Sequence, residues 1–387
     1  MIMSTAGDID LLLSNAVDAG VAPGIAAIAA NSAHVFYRGA SGTRGDAPMK
    51  TDSVCWIASM TKLVTIIGAL QLVERGNISL DSLVAEILPE LADRMVIEGF
   101  DADGVEMLRP ARVQLTFRHL LTHTAGFAYD FWSDDITRYA ARHGVPGIIA
   151  CDNSTLANPL VADPGSSFVY GTSTDWVGKV IETVSGLDLE QYIQRNILAP
   201  IGLTDTGFRI GSRRPWLARM NARTEDGRST PIEVEVPQNP AFYMGGGGLY
   251  STAEDYIRLL QVLLAGGRRG GVRILGEDTI RDARNNHIGD LTVGPLKTSA
   301  PATSYDVNFL PGTTKKWSLF GLLNVEATPG GRSAGSLFWA GLSNCYFWVD
   351  WKRGHAGAFF TQMLPFADPR ILGVYDKFED AVRDLQD

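Results

Sequence analysis

Apolar and polar positions along the chain change period several times, and each change marks an element. Residues 7–19, GDIDLLLSNAVDA, read as an amphipathic helix ended by Gly20. PGIAAIAA and HVFYRGASG follow as two strands, the second ending in glycines. Residues 54–72 then hold Ile66, Ile67 and Leu70, continued by Val73, at helical spacing with no proline, which predicts a helix ending near Gly76. Residues 78–91 offer a polar start and a short helix, and 95–112 a hairpin or excursion. LTFRHLLTHTAGF (115–127) reads as a helix stopped by Thr-Ala-Gly.

Further along, Pro164-Gly165 makes a turn and 168–170 a short extended piece. Helices are expected over 173–184, closed by Gly186, and over 188–198, ended by Pro200. Residues 209–240 read as a connection. In 244–267 a glycine run precedes a helix with Ser251-Thr252-Ala253-Glu254 as a capping box and Gly266-Gly267 as the stop. Residues 288–322 are irregular. Residues 335–344, 344–351 and 355–364 read as successive strands, and 376–387 as a terminal helix. Strands thus gather at both ends of the chain and helices in the middle. That predicts an α/β lobe with a central antiparallel sheet from residues 1–75 and 240–387, and a mainly helical lobe from 76–239. A cleft between two such lobes is a natural place for a site.

Composition narrows the function. The 387 residues are 45% hydrophobic and 20% charged, as in ordinary globular proteins, and suffice for one large domain or two lobes. A net charge of −9 argues against nucleic acid as a partner, because phosphates need a basic footprint. No stretch approaches the ~20 apolar residues of a membrane span. The first twenty residues lack the basic and apolar regions of a secretory signal. Cys55, Cys151 and Cys345 are an odd, widely spaced set without C-x-x-C. They fit reduced thiols, and the expected compartment is the cytoplasm.

The stretch with most chemical content is Ser59-Met60-Thr61-Lys62. Positions i and i+3 of a helix starting near Ser59 share a face, with Cβ atoms roughly 5–6 Å apart. A lysine amine then reaches a serine hydroxyl that the positive helix end also faces, which is how a serine nucleophile is made. The plainer alternative is a helix N-cap beside a solvated lysine. Apolar residues on both sides of Lys62 weigh against it. His119 and His123 form H-x-x-x-H, but with no glutamate in the motif and no third ligand they read as packing and capping residues, and no metal is expected. GTSTD (171–175) and GLSNC (341–345) lack the last glycine of a nucleophile elbow. The four glycines at 245–248 are followed by no Lys-Ser/Thr, so close backbone approach is expected rather than a phosphate loop.

Several segments, in order and spread over most of the chain, carry a resemblance: Ser59-Met60-Thr61-Lys62, HLLTHTAG (119–126), PGSSFVYG (164–171), IETVSG, ILAPIGLTDTGF, GGGGLYSTAEDY (245–256) and Trp339-Ala340-Gly341. Together they resemble the serine β-lactamase-fold hydrolases related to class C β-lactamases and DD-peptidases, and most of all the family VIII carboxylesterases. The resemblance implies an α+β fold of the serine β-lactamase/DD-peptidase type: an antiparallel sheet flanked by N- and C-terminal helices, with an inserted helical lobe. It implies Ser59 as nucleophile, Lys62 as its base, Tyr170 as proton relay, and the backbone N–H groups of Ser59 and Leu342 as oxyanion hole. The Lys62 base needs a pKa well below the usual ~10.4. No cofactor is implied.

Two departures bear on substrate. Trp339 stands where β-lactamases carry the lysine of Lys-Thr-Gly, and Thr172 where they carry an asparagine. Neither can hold the carboxylate or acylamide of a β-lactam, and a neutral ester needs neither contact. The expected substrate site is Trp339, Ala340, Gly341, Phe338, Thr172, Tyr129 and Trp132, with Trp339 and Phe338 as an apolar wall. The expected function is a carboxylesterase for short-chain neutral esters working through an acyl-enzyme on Ser59, its partner a small-molecule ester. The alternatives are an acyltransferase or a β-lactam or amide hydrolase using the same residues.

Overall fold

The computed structural model describes residues 5–328 and 331–385. Helix α1 (Ala6–Asp18) opens on a capping box: the Thr5 side chain accepts from the Asp8 N–H, and the Asp8 carboxylate accepts from the Thr5 N–H. The strands Gly24–Asn31 and Val35–Gly42 follow. They join a seven-stranded antiparallel sheet whose other members, taken outward from Gly24–Asn31, are His355–Phe360, Cys345–Asp350, Ser336–Gly341, Leu322–Asn324 and Lys315–Trp317. The expected antiparallel sheet, built from both ends of the chain, is therefore present.

Every residue of Ser336–Gly341, Cys345–Asp350 and His355–Phe360 is buried, because both faces of the sheet are covered. One face carries Phe338, Tyr346, Trp348 and Phe359, all in ring contact with Tyr375 of the C-terminal helix α9 (Pro369–Asp384). On the other face Phe347 and Phe360 pack on Tyr256 of helix α7 (Ala253–Leu264). Side chains alternate along a strand, so Trp339, paired with Phe347, shares this second face. Helix α2 (Thr61–Glu74) lies against α7: the Tyr256 hydroxyl donates to the Met60 carbonyl at 3.0 Å. Almost the whole of α2 is buried, including Lys62.

Between the sheet-forming ends run α3 (Phe117–Leu121), α4 (Asp134–His143), α5 (Ser173–Ser185), α6 (Leu189–Ile193) and a hairpin of strands Met95–Phe100 and Glu106–Pro110; α8 (Glu277–Ala283) follows α7. α5 packs on α2 and α3.

Several sequence expectations are corrected. Residues 78–91 form no helix but two 3-10 turns, Val84–Glu86 and Pro89–Leu91, the second opened by a proline that lacks the N–H needed to continue the first. The helix at 115–127 shrinks to the five residues of α3, because His123 turns to φ +56°. α6 passes through a π-helical turn, Gln194–Leu198, and a 3-10 turn, Ala199–Ile201, before stopping at Gly202, so Pro200 lies inside the last turn. The N-cap of α7 is Thr252, which accepts from the Asp255 N–H; Ser251 belongs to the preceding strand. Lys315–Trp317, within a stretch expected to be irregular, is an edge strand. The connection at 209–240 contains the paired strands Asn221–Arg223 and Ser229–Pro231. Of the expected terminal helix, 386–387 lie outside the described residues. Among those residues no helix is long and apolar enough to cross a membrane.

Candidate active site

Ser59 sits in a 3-10 turn, Ala58–Met60, that leads directly into α2. Ala58 holds a positive φ of 43°, a strained value for a residue with a side chain, and this turns Ser59 toward the cleft. Across from it, a Cβ on Gly341 would stand 2.2 Å from the Ile57 carbonyl, so only glycine lets the strand Ser336–Gly341 pass this closely. Leu342 and Ser59 consequently line the same cleft.

One turn along α2, Lys62 points back under Ser59. Its ammonium group donates three hydrogen bonds: to Ser59 Oγ at 3.1 Å, to the Tyr129 hydroxyl at 2.9 Å and to the Gly246 carbonyl at 2.7 Å. Three N–H groups thus meet three acceptors. The glycine run is fixed on α2 by neighbouring side chains as well: Thr65 donates to the Gly245 carbonyl at 2.7 Å, and Leu249 N–H donates to Thr61 Oγ1 at 3.0 Å. Nothing larger than glycine fits at 246, where a Cβ would lie 2.7 Å from Asp175 Oδ2 and 3.0 Å from the Tyr129 hydroxyl. Close backbone approach is the use of these glycines, as the sequence suggested.

Tyr170 arrives from the loop before α5. Its hydroxyl accepts from the Trp339 indole N–H at 2.9 Å and faces Ser59, with which it shares the cleft. Its ring lies 4.8 Å from the Lys62 amine. The serine, the amine and the phenol, the last more than 100 residues further along the chain, are therefore brought together at one cleft. Ser59 is partly exposed, whereas Lys62 and Tyr170 are buried.

Burial sets the proton affinities. Lys62 is pushed well down from the usual lysine value by desolvation, with the negative charge of Asp175 opposing the shift. Asp175 is pushed up by its own burial, opposed by Lys62 and by the Gly246 N–H that it accepts at 2.8 Å. Desolvation raises Tyr170, and Ser59 and the Trp339 N–H pull in the other direction. A lowered lysine next to a serine can take the serine proton near neutral pH, which is what a serine nucleophile requires.

The cleft above Ser59 is narrow and open to solvent on one side. Tyr129, Phe131, Trp132, Ile148, Ile149, Met244, Trp339, Ala340, Leu342 and Phe366 contribute to its wall, and no charged side chain lines it among the described residues. Tyr129, Trp132, Trp339 and Ala340 are where the sequence placed them, at the cleft. Three expected substrate contacts are not: Gly341 abuts the Ile57 carbonyl instead of lining the cleft, and Phe338 and Thr172 also lie elsewhere. Phe338 points to the opposite sheet face, stacked on Tyr346 at 6.4 Å, as strand alternation demands of a neighbour of Trp339. Thr172 lies buried at the N-cap of α5 and does not reach the cleft wall. Trp339 is more than an apolar wall, since its N–H is bonded to Tyr170. His119 and His123 do not share a helix face: His119 bonds the Thr116 N–H at 3.2 Å, while His123 lies buried in edge contact with Trp317. Among the described residues no group of three or more His, Cys, Asp or Glu is gathered to hold a metal ion.

Sequence reasoning missed Asp175, the Gly246 carbonyl and the Tyr129–Lys62 bond. An acidic residue in a first helical turn reads as a favourable dipole partner, so nothing in sequence marked Asp175 as buried.

A seven-stranded antiparallel sheet with a serine–lysine turn at the head of a buried helix defines an enzyme of the serine β-lactamase fold. The chain belongs to the Beta-lactamase family, whose model matches residues 9–378. Monacolin J acid methylbutanoyltransferase of Aspergillus terreus is 34% identical over 356 residues, covering 87% of this chain and 83% of that protein. Lovastatin esterase of Penicillium rubens is 30% identical over 372 residues, 90% of each. The structure of simvastatin synthase from Aspergillus terreus matches with a TM-score of 0.84 at 30% identity, over 97% of each chain. Similar proteins therefore include both acyltransferases and an esterase.

Proposed function

We propose that this protein is a serine esterase that takes the acyl group of a small uncharged ester onto Ser59 and passes it to water. The observation that carries this reading is the buried, lowered amine of Lys62 on Ser59 Oγ beneath a cleft with an uncharged, mostly apolar wall. Neutral Lys62 takes the Ser59 proton as Oγ attacks the carbonyl carbon. The carbonyl oxygen becomes an oxyanion, held by the N–H groups of Ser59 and Leu342. Tyr170 gives its proton to the leaving alkoxide and recovers one from Lys62, which returns to the neutral amine. Water then attacks the acyl-enzyme, and the same groups carry the protons in reverse.

A β-lactam carries a carboxylate, and a site for it needs a facing cation. Trp339 and the rest of the cleft wall supply none, which supports an ester without charge. The second reading is an alcohol as acyl acceptor in place of water. The 34% identity to a methylbutanoyltransferase over most of its length favours it, as does the apolar wall. The test is turnover of p-nitrophenyl acetate and butyrate by wild type and Ser59→Ala, with products identified at rising concentrations of competing alcohols. Free acid as the main product supports hydrolysis, new alkyl esters support transfer, and full activity in Ser59→Ala refutes both.

A further inference from the structure

Asp175 stands out in the molecule because the reaction steps given above assign it no part. It is a fully buried carboxylate on the first turn of α5. Among the described residues no arginine or lysine forms an ion pair with it. Oδ1 accepts the Gly246 N–H at 2.8 Å, and Oδ2 has no hydrogen-bond partner. Burying an unpaired carboxylate costs several kcal/mol in general, so a positive charge must lie close enough to offset it. The cation that acts on it is Lys62. The two converge on one residue: the Gly246 N–H is held by Asp175 and its carbonyl accepts from Lys62. The unpartnered Oδ2 and the Tyr129 hydroxyl, itself bonded to Lys62, also meet at Gly246, 2.7 and 3.0 Å from the point a Cβ would occupy.

We propose that Asp175 is the buried counter-charge of Lys62, a positioning residue that holds the amine under Ser59 through Gly246 and fixes the pH at which Ser59 becomes a nucleophile. This rests on the reading of Ser59 and Lys62 given above. Burial alone lowers the proton affinity of the amine, and the charge of Asp175 opposes that shift. Without that opposing charge the neutral amine would be a weaker base for the Ser59 proton that it passes on to Tyr170. A carboxylate one residue removed keeps the amine basic enough to take that proton without forming a direct ion pair that would lock it in the charged form.

Other titratable groups around Lys62 do not supply this charge. Tyr129 and Tyr170 are buried phenols shifted upward, and His123 is buried and shifted downward, so all three are neutral near pH 7. Asp130 acts on Tyr129 from the 3-10 turn Asp130–Trp132, and Cys151, shifted up to about 12, is a neutral thiol near Asp175. The strand Ser336–Gly341 and the glycine run bring only Trp339 and backbone groups to the amine.

The experiment follows the rate at which a fluorophosphonate labels Ser59 between pH 5 and 10, for wild type and Asp175→Asn. Asparagine keeps the size and the acceptor for Gly246 while removing the charge. The acid limb of the labelling profile should move down by about one pH unit, with the plateau rate within about threefold of wild type. A limb that stays in place or moves up in folded Asp175→Asn overturns the proposal while leaving Ser59 as nucleophile. Wild type unlabelled at every pH overturns the nucleophile and this proposal with it. If the variant does not fold, the carboxyl carbon of Asp175, followed by carbon-13 NMR in the wild type, decides. Ionisation complete below the limb supports the counter-charge, and a protonated carboxyl across the limb refutes it.

Discussion

Replacing Trp339 with phenylalanine isolates one contact that the sequence did not foresee. The indole N–H donates to the Tyr170 hydroxyl at 2.9 Å, with the tryptophan and the tyrosine both less than 5% exposed. A bond to a group that gains negative charge as it gives up its proton is worth about 1.5–3 kcal/mol. At 1.36 kcal/mol per factor of ten, its loss lowers the rate of acyl-enzyme formation roughly 10- to 150-fold. Phenylalanine keeps an aromatic ring between Trp317 and Tyr170, which pack on Trp339 at 4.6 and 4.8 Å. The fall should therefore appear in kcat, with KM for a small ester changed little. The assay is p-nitrophenyl butyrate hydrolysis, with circular dichroism to confirm folding. A loss below about threefold in folded protein, or a loss carried wholly by KM, would refute a proton-relay role for the bond and return Trp339 to a passive wall.

The pH response of stability has a sign set by His123. Burial lowers its folded pKa below the unfolded ~6.5, so the unfolded chain binds the proton first and this residue's contribution is lost as pH falls below ~6.5. His123→Asn, which tolerates φ +56°, should flatten the difference between urea midpoints at pH 7.5 and 5 relative to wild type. Gly246→Ala places a methyl 2.7 Å from Asp175 Oδ2 and should cost at least tenfold in kcat, with about 1–3 kcal/mol of stability lost to overpacking, read by activity and urea unfolding. Asp368→Ala breaks the buried 2.6 Å pair with Arg223, neither of which lines the cleft. It should lower unfolding free energy by about 3–5 kcal/mol and leave kcat unchanged while folded.

What could be read from sequence divides along physical lines. The strands near the C-terminus and helix α2 were legible because each has one strong period and clear stops. Ser59, Lys62 and Tyr170 were legible because their segments follow a family pattern. Strand alternation, applied to residues 338 and 339 in sequence, would have separated Phe338 from Trp339, yet both were assigned to the wall. The length of α3 was lost because a residue with a side chain takes a left-handed conformation at His123, and no local signal announces that. Asp175, the Gly246 carbonyl and the Trp339–Tyr170 bond were invisible for a common reason. Each is defined by a partner more than 70 residues away in sequence, and backbone carbonyls carry no residue-type signature.

The central claim is that an acyl group rests on the Ser59 oxygen during turnover. Rapid quenching of enzyme mixed with p-nitrophenyl butyrate, followed by intact-protein mass measurement and peptide mapping, tests it directly. A butyryl mass increment on the peptide holding Ser59, gone in Ser59→Ala and longer-lived in Tyr170→Phe, is the predicted result. Steady turnover by folded enzyme with the increment on any other residue would contradict it.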